Sequence, residues 1–186
     1  MQILFILMGL TGLAMLFAGA KWSVESFKSN DIVEFPIIDK IKEFEIIKSG
    51  LYAVCIVGGF YVHNLAGFKT SIFNIHNQKQ IDLKEPNLKF RFRKKWKVGI
   101  EHLHFRIIEA GRYRIEIQLP EKLTVKESIL TTKQPFQSSQ PIENIEVLIK
   151  GIVPLGKKFL GIVFLVLGVN LSVWGILLSI IPKLFG

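Results

Sequence analysis

Cysteine is all but missing: Cys55 is the only one in 186 residues, so no intramolecular disulfide can form and cysteine usage leaves the compartment open. Its setting in LYAVCIV, apolar on both sides, marks it as a small buried hydrophobe. Catalytic signatures are missing too. The chain has no nucleophile elbow, no phosphate-cradling glycine loop and no Ser/His/Asp set in recognisable local context. Glu101 and Glu109 are single acids among many surface charges. Neither an enzyme nor a cofactor is expected. Acids are outnumbered, 15 Asp and Glu against 24 Lys and Arg, giving a formal charge of +9 that lies mostly in the middle of the chain.

Charge is absent altogether from two long stretches, ILFILMGLTGLAMLFAGA at residues 3–20 and FLGIVFLVLGVNLSVWGILLSII at residues 159–181. Each approaches or exceeds the roughly 20 apolar residues that cross a hydrocarbon core. The expected plan is a transmembrane helix over 1–20, a membrane-proximal connector over 21–34, a β domain over 35–150, a linker over 151–158 and a second transmembrane helix over 159–181. The first stretch has a rival reading as a cleaved signal peptide, because Ala18-Gly19-Ala20 has the form of a cleavage site. Against cleavage, its amino-terminal flank has no Lys or Arg and its apolar core is long, so retention as an anchor is expected.

Orientation is less constrained. Lys21, Lys28, Lys150, Lys157 and Lys158 flank the domain side, which by charge alone would hold the domain in the cytoplasm. Loops beyond about 60 residues cross largely regardless of charge, and the one here spans residues 21–158. By analogy with β domains behind a signal-like segment, the extracytoplasmic (periplasmic) side of a bacterial inner membrane is favoured.

What the middle does contain is a repeat. EFEIIKSGLYAVCI at residues 43–56 and HFRIIEAGRYRIEI at residues 104–117 share F-x-I-I-x-x-G-x-Y followed by alternating apolar residues. Period-2 alternation is the mark of half-buried strands. Two equivalent hairpins are therefore expected, with Gly50 and Gly111 supplying positive φ at the turns and Tyr52 and Tyr113 in equivalent core places, each hydroxyl near a polar partner. Further turns are expected at residues 64–67 and 77–79, a long strand over 88–100, and strands within KLTVKESILTT and IENIEVLIK. Eight or nine short strands without a soluble helix give an all-β sandwich, of immunoglobulin-like or jelly-roll type, inserted between two transmembrane helices.

Three features are candidates for function. LKFRFRKKWKVGI sets Lys89, Arg91, Arg93, Lys95 and Lys97 on alternate positions, a line about 26 Å long if the strand is continuous, with Leu88, Phe90, Phe92, Trp96 and Val98 on the core side, broken only by Lys94. Such a line can face anionic lipid headgroups or glycans or an acidic protein, or it can be a solvated or edge strand guarded by cations. Nucleic acid is not expected, because the aromatics alternate with the basic face. His102 and His104 share an H-x-H spacing, with His63 and His76 as further imidazoles, but no metal site is expected from one two-residue match. In the second apolar stretch Gly161, Gly168 and Gly175 recur every seven residues with Ser172 near the same face, and Ala14 and Ala18 offer a small pair in the first. Asn170 falls on another face and must find a hydrogen-bond partner.

The function expected from these features is non-enzymatic: a membrane-anchored β-sandwich that recognises another protein, as an accessory subunit or an immunity-type protein against a toxin. The alternative is a binder of anionic lipid or glycan through the basic strand, and a membrane enzyme is a distant third.

Overall fold

In a computed structural model of the chain, the described residues are 2–27, 30–64, 67–94, 96–126, 136 and 138–180. They form two compact units, Met1–Ser29 with Val153–Gly186, and Asn30–Ile152.

The first unit is a pair of helices, α1 (Gln2–Phe27) and α2 (Leu155–Ile180), each of 26 residues. At 1.5 Å per residue each is about 39 Å long, and both are apolar enough to span a membrane. α1 continues through Lys21 and Trp22 to Phe27, so the first half of the expected connector is helix and its last part is strand. The helices run antiparallel. Gly9 lies against Gly175, Gly12 against Ser172, Leu16 against Gly168, Gly19 against Leu165, and Ser23 against Gly161. Spacings alternating between three and four residues on both helices give the seam of a left-handed pair. A Cβ at Gly168 would lie 2.7 Å from the Leu16 nitrogen, and one at Gly19 would lie 2.8 Å from the Leu165 nitrogen. Only residues without a side chain permit this approach. Polar ties close the ends: Lys157 Nζ donates to Glu25 Oε2 at 2.6 Å, and Gln2 Nε2 to the Ser179 carbonyl at 3.2 Å.

The second unit is built from antiparallel strands: β1 (Asn30–Pro36), β2 (Ile41–Ile46), β3 (Gly50–Val57), β4 (Tyr61–Asn64), β5 (Lys69–Asn74), β6 (Gln80–Ile81), β7 (Leu83–Lys84), β8 (Arg91–Lys94), β9 (Lys97–Ile107), β10 (Gly111–Gln118), β11 (Leu123–Lys126) and β12 (Glu146–Gly151). One sheet has the order β1-β12-β3-β9-β7 with β8 also on β9, a second has β2-β10-β5-β6, and β11 pairs with β4. With the four short accessory strands β4, β7, β8 and β11 set aside, the ladders are β1 with β12, β2 with β10, β3 with β9 and β5 with β6. The chain is thus one nested antiparallel hairpin rolled over itself, the strand order of a jelly roll rather than of an immunoglobulin sandwich. The two sheets share one core, with Phe44, Ile46, Ile72, Tyr113 and Ile115 from one and Tyr52, Ile56, Phe105, Ile107 and Val147 from the other.

The two copies of the repeat are not hairpins in the fold. Each is a corner that carries the chain from one sheet to the other, β2 to β3 and β9 to β10, and the copies pair with each other. Phe44 stands opposite Tyr113 and Tyr52 opposite Phe105, with ring centroids 6.1 Å and 5.7 Å apart. This exchange defines a local two-fold. Tyr52 Oη donates to the Lys48 carbonyl at 2.6 Å and Tyr113 Oη to the Glu109 carbonyl at 2.7 Å, so each phenol ties down its own corner. Gly50 does not take positive φ; Gly111 does, at +158°. The turn at residues 77–79 is present, with Gln78 at φ +54°. The expected turn at 64–67 and the strand end beyond Lys126 fall partly outside the described residues.

Candidate functional site

The basic run forms no line. β8 and β9 are a hairpin that turns between Lys94 and Lys97, with Arg91 opposite Ile100, Arg93 opposite Val98 and Lys94 opposite Lys97. No Gly, Asn or Pro marks this turn, so the sequence reads as one strand. The turn is nevertheless favoured because folding back seats Phe92 on β9. Its ring lies over Gly99, where a Cβ would be 2.7 Å from Cζ, and over Lys150 Nζ at 3.8 Å from the centroid. Beneath it Glu101, 2% exposed, accepts from Lys150 Nζ at 3.1 Å and from His104 Nε2 at 3.1 Å. Pairing makes so buried a carboxylate tolerable. On the same face as Phe92, Lys94 reaches Asp31 at 2.6 Å and Glu34 at 3.1 Å. Burial pulls the Lys94 ammonium down, but these two carboxylates outweigh it and hold its pKa above the usual lysine range.

The outward cations are mostly engaged. Lys89 pairs with Glu85, whose carboxyl is held below its usual range by that hydrogen bond and charge. Arg91 Nε donates to the Phe60 carbonyl at 3.0 Å, and Lys97 Nζ to Glu146 at 2.7 Å. Arg93 is exposed, and Lys95 lies outside the described residues.

Trp96 departs most from expectation. Instead of facing the core it is fully exposed, at 103%, with φ +68°. A bulky residue in the left-handed region is a genuine outlier, held there only because the hairpin on either side is fixed. Beside the hairpin opens a cleft of about 370 Å³ lined by Glu34, Phe35, Pro36, Lys94, Lys97 and Glu146. A solvated indole, a guanidinium and a charged cleft thus gather at one end of the jelly roll. No sequence signal pointed to Trp96, since alternation assigned it inward.

The histidines do not converge. A bulge between Val54 and Cys55 in the β3–β9 ladder leaves His102 without a partner residue, and its ring packs on Phe68 at 5.8 Å. It is 7% exposed, its pKa is lowered to about 4 by burial and then by Lys89, and its Nδ1 has no hydrogen-bond partner. His104 turns to Glu101, while His63 and His76 are exposed. Among the described residues no three His, Cys, Asp or Glu side chains are grouped to hold a metal. His102, His63, Lys89 and Thr70 line a second open cleft of about 530 Å³.

In the helix pair, Gly161, Gly168, Ser172 and Gly175 are buried on one face of α2 against α1. The small pair on α1 is corrected. Ala14 is exposed and Ala18 only half-buried, and Gly9, Gly12 and Gly19 make the contact. Ala14 lies about 200° around the helix from Gly12, which no seam can share. Asn170 points outward and satisfies its amide within its own helix, Nδ2 donating to the Val166 carbonyl at 2.8 Å. It therefore needs no second helix.

Fold and composition define a class: a jelly-roll domain inserted between two transmembrane helices. Beyond this class, no protein-family model matches the chain, and comparison with curated proteins gives no match.

Proposed function

We propose that the chain is a non-enzymatic, membrane-anchored binding module that recognises another protein through the β8–β9 hairpin tip. The observation that carries this reading is Trp96, fully exposed at a strained backbone position. Solvation of an indole is unfavourable, and strain at a fixed tip persists where function uses it. Trp and Arg are the residue types that dominate binding hot spots, and Arg93 stands on the same hairpin. The adjacent cleft, with Lys94 and Lys97 facing Glu34 and Glu146, offers a partner paired charges of both signs. Such a module serves as an accessory subunit of a membrane complex or as an immunity-type protein against a toxin. Its domain lies on the periplasmic side of a bacterial inner membrane.

A photoreactive, diazirine-bearing tryptophan analogue at position 96, which keeps the indole, tests the reading in the full chain in native membranes. A discrete protein adduct is expected, and Trp96→Ala in a competing copy should weaken binding by about 30-fold or more, the 2 kcal/mol of a hot spot. Adducts to lipid alone, or Trp96→Ala binding as tightly as the parent, would overturn it.

A further inference from the structure

We infer that the opposite end of the jelly roll, at the paired corners, rests on the bilayer its own helices span, with Ile47 and Ile108 set among the lipid headgroups. The repeat places these residues at matching positions, one past Ile46 and Ile107. Ile46 and Ile107 are buried, at 0% and 1% exposed, whereas Ile47 and Ile108 are each 80% exposed. Single exposed apolar residues are ordinary. Two equivalent ones on either side of a local two-fold, each on a corner locked by a tyrosine hydroxyl, form a fixed apolar pair.

The topology says which end of the unit this is. Gly50 pairs with Ile107 and Ile46 with Gly111, so both corners lie at one end of the sandwich. Asn30 pairs with Gly151, and Gly151 with Tyr52, so the chain also enters and leaves the sandwich at that end. The Ile152 nitrogen donates to the Leu51 carbonyl at 2.9 Å, which keeps the exit beside the first corner. Two residues, Lys28 and Ser29, separate β1 from α1, and three, residues 152–154, separate β12 from α2. At about 3.5 Å per Cα–Cα step, three steps in one tether and four in the other, neither is longer than roughly 14 Å. An apolar pair on such short tethers to two membrane helices has the headgroup region as its nearest solvent, and there exposed isoleucines cease to be a cost. Lys48, Arg106 and Arg112 flank the pair and can meet lipid phosphates, with Glu45 and Glu109 as the opposing acids.

The test uses the full chain in phosphatidylcholine liposomes, with Ile47→Cys or Ile108→Cys carrying an environment-sensitive fluorophore. Cys55 is buried and Ile38, exposed in the turn at the far end, is the control position. Blue-shifted emission, quenched by nitroxide lipids and shielded from iodide, is expected at 47 and 108 and not at 38. Iodide quenching at 47 and 108 equal to that at 38 would overturn the inference. So would shielding from both quenchers, which would mean a protein cover. Neither result depends on Trp96, at the other end of the sandwich.

Discussion

In the helix pair, contact is made where side chains are missing, at Gly9, Gly12, Gly19, Gly161, Gly168 and Gly175. In the sandwich it is made by large ones, with Phe44, Phe105, Tyr113, Ile115 and Ile149 filling the space between sheets. The difference follows from the solvent. Water drives apolar side chains together, so the sandwich gains by filling its core. Lipid is as apolar as leucine, so the helices gain by backbone approach and close van der Waals contact. A methyl group is thus stabilising in one unit and disruptive in the other.

The sharpest way to break this comparison is a pair of opposite substitutions. Gly168→Leu should drive the helices apart, because even its Cβ would sit 2.9 Å from the Gly12 carbonyl oxygen. Spin labels at the exposed positions Leu13 and Val173 should report a larger separation, while the denaturation midpoint of the sandwich stays put. Ile115→Ala should do the reverse, costing the sandwich about 2–5 kcal/mol and leaving the label distance unchanged. If Gly168→Leu leaves the labels where they were, close backbone approach is not what holds the pair.

A smaller effect comes from pH, which should act on the sandwich through His102. Its folded pKa of about 4 lies below the ordinary 6.5, so between these values the unfolded chain binds the extra proton. Stability is therefore complete above about pH 6.5 and falls as pH drops towards 4, by at most about 3 kcal/mol from this residue. Glu85 opposes the lowering, and the value of about 4 already includes its effect. Urea titration of the detergent-solubilised chain at pH 7 and pH 4.5 should show the loss, and His102→Phe should reduce it. A pH slope that is the same in that variant would assign the titration elsewhere.

The smallest effect tests the internal two-fold. Tyr52→Phe and Tyr113→Phe each remove one corner hydrogen bond and should each cost about 1 kcal/mol. Equal losses are expected because the two phenols meet equivalent carbonyls. A loss at one and none at the other would make the repeat a likeness of sequence without a shared mechanical role.

By itself the sequence determined the features that depend on a residue and its near neighbours. Uncharged runs of membrane length need no partner to be recognised, and alternation in β10 reports buried Tyr113, Ile115 and Ile117 because a strand exposes one face to the core. The same alternation does not say which strand lies alongside. A hairpin and a sheet-switching corner both need a strand, a short turn and a strand, so the two F-x-I-I-x-x-G-x-Y segments looked like hairpins until their pairing across the two-fold showed them to be corners. The small stripe on α2 was legible because glycines every seven residues stand out; its match on α1 was not, because Ala14 and Ala18 have a small-residue spacing but lie off the face where Gly9, Gly12 and Gly19 meet it. Tertiary structure alone decided that LKFRFRKKWKVGI turns back between Lys94 and Lys97. The energy of that turn resides in contacts distant in sequence, Phe92 over Lys150 and Lys94 between Asp31 and Glu34, and no local pattern of cations and aromatics can reveal those.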